Sequence, residues 1–148
     1  MIQLEEIRRS PVKSLGQEVL QSVTLTPGRA IGWDRVWAVT HGQSDYDDER
    51  PEWVPSRNHV IQSTNPALAQ LTCSYDETGG ELTLTHPDLG KITVDPVVEG
   101  QRLSDWLAPI AAPSGPPPYR LVSIPGGTLH DFEDTHLSIG NLASLRAL

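Results

Sequence analysis

Residues 8–39 read RRSPVKSLGQEVLQSVTLTPGRAIGWDRVWAV, a stretch in which extended runs, forced turns and fixed positive charge fall close together. The run from Ile2 to Arg9 is short and β-compatible, and Pro11 biases Ser10 away from helix. Val19, Val23 and Leu25, with Thr24 and Thr26, predict a second strand over 19–26. Pro27-Gly28 then signals a type II turn, because glycine accepts the positive φ that such a turn requires. Val36 to Val39 is a third apolar run. If these runs pair as neighbours, the Lys13-Ser14 loop and the turn carrying Arg35 share one rim of a sheet. An ammonium, a hydroxyl and a planar guanidinium fork at one rim suit a phosphate. The plainer reading leaves Lys13 solvated and pairs Arg35 with Asp34 or with the carboxylates at 45–49.

Outward from this stretch, residues 43–52 (QSDYDDERPE) read as an acidic surface loop. A helix-loop-helix calcium site counted from Asp45 needs glycine at position 6 and glutamate at position 12, and those places hold Arg50 and Ser56. Asn58 to Thr64 is a candidate strand, followed by a turn at Asn65-Pro66. Leu68 to Tyr75 alternates, with Leu71, Cys73 and Tyr75 on one face, so Cys73 reads as a small buried hydrophobe. Turns at 78–80 and 87–90 divide two strictly alternating runs, 81–85 and 91–94, which predicts antiparallel hairpins. Leu103, Trp106, Leu107 and Ile110 have helical spacing, and Pro109 is expected to limit that helix. A proline-rich connector, 111–118, leads to a last strand over Tyr119 to Ile124. Trp33 and Trp37 read as core fillers. His130, Asp131, Glu133, Asp134 and His136 could ligand a divalent metal, but their spacing fits no standard site and favours an acidic loop. Asn141 can cap a final turn in which Leu142, Leu145 and Leu148 share a face.

A length of 148 residues suits one domain with a real core. With 13 prolines and 12 glycines the chain must turn often, which favours short strands over a helical bundle. The fold class expected is mainly β, an antiparallel β-barrel with one or two short helices. One cysteine excludes an internal disulfide and a multi-thiolate zinc site. The N-terminus lacks an apolar leader and no window is apolar enough to span a bilayer, so a soluble cytoplasmic protein without a membrane partner is expected. A net charge of -8 without a basic stripe argues against nucleic acid.

Ser10-Pro11-Val12-Lys13-Ser14-Leu15-Gly16, then Val23 to Arg29, then Asp34-Arg35-Val36-Trp37-Ala38-Val39, resembles the start of the MOSC proteins. In that family an N-terminal β-barrel domain precedes the molybdenum-cofactor sulfurase C-terminal domain. Ser104 to Leu107 and Tyr119 to Val122 resemble the elements that close the barrel, and Phe132-Glu133-Asp134 with Ala143-Ser144-Leu145 resembles the beginning of the second domain. The likeness departs at Ala67, where the family usually has an arginine. It implies a barrel domain over 1–124, with 125–148 a linker and the start of an incomplete core domain. It also implies that Lys13, Ser14 and Arg35 hold the phosphate end of molybdopterin, the organic part of the molybdenum cofactor. The family's metal-ligating cysteine lies in the second domain, so the chain is expected to be truncated before it, and Cys73 is not its equivalent. Without that thiolate, a triad or a paired acid and base, no catalytic residue is assigned and catalysis by this chain alone is not expected. The implied function is the cofactor-binding portion of a MOSC-type oxidoreductase or sulfur-carrier protein, with a second MOSC core domain as partner. The alternative is a free-standing β-barrel module that binds a protein partner or a small anion.

Overall fold

The computed structural model describes residues 3–134, 137–141, 143 and 144. Its strands are β1 (Ile7–Arg9), β2 (Glu18–Leu20), β3 (Trp37–Thr40), β4 (Thr72–Asp76), β5 (Glu81–His86), β6 (Gly90–Val94) and β7 (Arg120–Ser123), with the α-helix α1 (Gly100–Ala111) between β6 and β7. All ladders are antiparallel: β1 with β2, β3 with β7, and the meander β4-β5-β6.

The fold is therefore mainly β, but the expected closed barrel is absent among the described residues, where three separate sheets stand in its place. Closure requires each strand to pair on both edges. Here the strands before β4 are three or four residues long, and residues 21–36 run through bends and turns, so the ladder breaks between β2 and β3. The strand expected over 19–26 is reduced to Glu18–Leu20. Val19 and Leu25 are 54% and 57% exposed, and a strand with no apolar face to bury gains little from extension. Likewise 58–64 is no strand: Ser56–Asn58 is a 3₁₀ turn, and a single bridge, Thr40 to His59, is all the pairing there. Pro66–Gln70 is also 3₁₀, so β4 begins four residues later than the alternation from Leu68 suggested.

The strongest alternation is realised. In β4, Cys73 and Tyr75 face inward with Leu71 just before them, opposite Leu82 and Leu84 of β5 and Ile92 and Val94 of β6. These residues form one core with Val12, Leu15, Trp37, Val39 and the inner face of α1, Leu103, Leu107 and Ala111. The Trp106 indole N–H fixes α1 to the β5-β6 turn by donating to the Leu89 carbonyl at 3.1 Å. Pro109 does not end α1, which runs two residues further and tightens into a 3₁₀ turn at Ala112–Ser114. Trp37 is buried as expected. Trp33 is 38% exposed and lies over Trp37 and Tyr75, with ring centroids 5.8 Å and 4.8 Å away.

The acidic loop is surface-exposed except at Tyr46, which is buried and donates its hydroxyl to the Ser123 carbonyl at 2.7 Å. Tyr46, Ala38, Val122 and Leu129 make a second, smaller core. Leu129 brings the segment after β7 back across the sheet formed by β3 and β7. The Asn141 carboxamide oxygen accepts from the Ala143 and Ser144 amides as a helix cap does, whereas Leu142, Leu145 and Leu148 lie outside the described residues. Among the described residues no helix is long and apolar enough to cross a membrane.

Candidate functional site

Residues 10–13 and 35–37 run side by side. Arg35 N–H donates to the Ser10 carbonyl at 2.6 Å, Trp37 N–H to Pro11 at 3.2 Å, and Lys13 N–H to the Trp37 carbonyl at 2.8 Å. Val12 and Trp37 form a parallel bridge, so the two segments meet in register without a hairpin between them. Lys13, Ser14 and Arg35 thereby line one cleft of about 420 Å³.

Two of these residues hold unusual backbone. Ser14 has φ 62° and Arg35 has φ 50°, values uncommon for side chains with a Cβ and found preferentially at functional sites. Between Trp33, at φ 64°, and Arg35 sits Asp34, whose carboxylate is the anchor of the turn. It accepts the Ser10 amide at 2.8 Å and the Arg35 guanidinium at 2.6 Å, and His130 Nε2 is 3.4 Å away. Gly16 closes the Lys13-Ser14 loop. At φ +90°, its Cα faces the start of β4 so closely that a Cβ would lie 2.9 Å from the Leu71 carbonyl oxygen, a backbone atom that cannot move aside.

Lys13 is not a solvated rim lysine. Its side chain is 2% exposed, and the ammonium donates to the Leu129 carbonyl at 2.9 Å and to Asp131 Oδ1 at 3.0 Å. An ammonium has three donors, and the third has no partner among the described residues. Burial lowers the Lys13 pKa below the usual lysine value; the Asp131 hydrogen bond and charge oppose that, and the Arg35 charge adds to it. Burial pushes the Asp131 carboxyl up, but hydrogen bonds from Lys13 and Ser56 and the charges of Lys13 and Arg35 together hold it below the ordinary carboxylate range. Arg35, with its side chain 29% exposed, keeps its ion pair with Asp34 while lining the cleft. The pairing of Arg35 with Asp34 and the shared placement with Lys13 thus hold together.

Three participants are not assigned to this site from the sequence. Leu129 donates its amide to the Arg35 carbonyl at 2.7 Å and accepts the Lys13 ammonium, so one residue's backbone ties both cationic residues to the segment after β7. Asp131 reads as one carboxylate of an acidic loop, and Asp34 as an ordinary neighbour of Arg35. Their roles depend on contacts between distant parts of the chain, such as the 116-residue separation of Lys13 and Leu129. No group of three or more His, Cys, Asp or Glu among the described residues is placed to hold a metal ion, and His136 of the sequence-level cluster lies outside them. Cys73 is 5% exposed, and burial pushes its thiol up to about 12, so it is no thiolate near neutral pH.

A second cleft, of about 840 Å³, adjoins the first and shares Arg8, Ser10, Gln17 and Arg35 with it. The family model described as the MOSC N-terminal beta barrel domain matches residues 1–107, a span that contains Lys13, Ser14 and Arg35 and excludes Leu129 and Asp131. Compared with curated proteins and with solved structures, the chain finds no match.

Proposed function

The chain belongs to the family of MOSC N-terminal beta barrel domains, and from that premise we propose that it is the cofactor-facing portion of a molybdenum-cofactor protein, holding the phosphate end of molybdopterin through Lys13, Ser14 and Arg35. The observation that carries this reading is the buried Lys13 ammonium in the same cleft as the Arg35 fork. A buried cation favours an anionic partner strongly, because the cost of removing it from water is offset only by charge and hydrogen bonds. Arg35 can offer two parallel N–H donors to two phosphate oxygens, and the Ser14 hydroxyl a third, neutral donor. The left-handed backbone at Ser14 and Arg35 is the kind of strain that a binding site retains.

The residues present suit the phosphate end of the cofactor. The metal, when bound, would supply the redox chemistry, and the described residues include no cluster to ligand it. The chain's own part is to bind and orient, with 125–148 as the lead into a further domain that completes the site.

Amide NMR titration with molybdopterin and with its dephosphorylated form tests this. The phosphate-bearing form is expected to shift the Lys13, Ser14 and Arg35 amides and the dephosphorylated form to leave them in place. Arg35→Ala should weaken binding roughly tenfold or more, the loss of a charged hydrogen-bond donor. Equal shifts from both forms, or an unchanged affinity in Arg35→Ala, would contradict the proposal and favour a module that binds a different partner.

A further inference from the structure

Lys13 and Asp131 make an unequal pair. The ammonium is fixed, its side chain 2% exposed and also held by the Leu129 carbonyl at 2.9 Å. The carboxylate is 60% exposed, and its Oδ1 takes both the Lys13 ammonium and the Ser56 hydroxyl, each at 3.0 Å. If the pair parts, Asp131 regains water, whereas Lys13 keeps, among the described residues, a neutral carbonyl. Asp131 is therefore the exchangeable partner, and any anion that engages Lys13 must compete with it.

The competition is not even. A carboxylate tethered close to its cation acts at an effective concentration that reaches millimolar for a short connection. A free monoanion offers Lys13 the same single charge and brings nothing to offset that advantage. A phosphate dianion brings twice the charge to Lys13 and Arg35 together, with paired oxygens for the guanidinium. The surrounding charge sharpens the choice: Lys13 and Arg35 are each paired with a carboxylate, Asp131 and Asp34, so the cleft becomes more positive as Asp131 withdraws.

Resting on the phosphate-anchoring reading above, we propose that Asp131 is the specificity-determining residue of the cleft, a tethered competitor for Lys13 that a dianionic phosphate displaces and a singly charged carboxylate does not. A merely structural ion pair makes the opposite prediction, because removing it would loosen Lys13 and weaken anion binding.

The test is an amide NMR titration of the full chain with inorganic phosphate and, separately, with acetate, at a pH of about 8, where phosphate is mostly dianionic. Asp131→Asn is expected to bind phosphate about tenfold more tightly than the unaltered chain, equivalent to ~1.4 kcal/mol, and to gain acetate binding that the unaltered chain lacks. Ser56→Ala, which removes one of the two donors on Asp131 Oδ1, should move both affinities in the same direction by less. It decides the matter by that sign if Asp131→Asn does not fold. Unchanged or weaker phosphate binding in these variants, with Arg35→Ala still weakening it, overturns the competitor role and leaves phosphate anchoring intact. No phosphate binding to any variant overturns both.

Discussion

His59 is 1% exposed, and among the described residues neither ring nitrogen has a hydrogen-bond partner. Burial lowers its pKa to about 4; the charges of Lys13 and His41 act in the same direction, and Asp131 opposes them. An unfolded histidine titrates near ~6.5, so between roughly pH 6.5 and 4 the unfolded chain takes up a proton that the folded chain refuses. Stability from this residue is therefore full above that window, falls as pH drops through it, and changes no further below it. The size is roughly 3 kcal/mol. Thermal melts across this range should show that acid limb, and His59→Leu should flatten it with little loss near neutral pH, since it removes unpaired polar atoms from the core. An unchanged slope in His59→Leu would mean that other groups carry the acid sensitivity. The same dependence on folded surroundings governs what was legible residue by residue. Lys13, Ser14 and Arg35 stand out by chemical type beside a proline and a turn. Asp34 and Leu129 act through a carboxylate and a backbone that look ordinary until the chain is folded.

Among the elements, α1 depends on one face. Leu103 and Leu107 are fully buried, and α1 packs on β6 and β7. Leu107→Ala should cost about 2–5 kcal/mol, the transfer loss plus the cavity left behind, as measured by chemical denaturation. Asp105→Ala, on the outer face where it accepts from Gln101 at 2.8 Å, should stay within about 0.5 kcal/mol. Equal losses from both would deny the helix its packed face. This helix and the β4-β5-β6 meander were legible in the sequence because local periodicity and the short 78–80 and 87–90 turns define them without distant partners. Residues 19–26 and 58–64 misled for the opposite reason. Their residue types suit strands, but a strand persists only where a neighbour takes its hydrogen bonds, and these segments find almost none.

At the scale of the whole molecule, the cleft is made where four stretches far apart in sequence converge: the loop after β1, the turn before β3, residues 62–72 and the segment after β7. Their meeting explains how a chain with a net charge of -8 can present a recess lined by Arg8, Lys13 and Arg35, since most of the acid lies in other loops. Sequence placed Lys13 and Arg35 at one rim through assumed strand pairing. The fold brings them together by a parallel bridge instead, and adds walls from residues 62–72 and from the segment after β7 that periodicity could not foresee. The most direct test is the anomalous scattering of crystals soaked in tungstate, a tetrahedral dianion with a heavy scatterer. The account predicts a peak between the Lys13 ammonium and the Arg35 guanidinium, within reach of the Ser14 hydroxyl and with Asp131 turned away. A peak elsewhere on the surface, with the Lys13 to Asp131 pair intact, would contradict it.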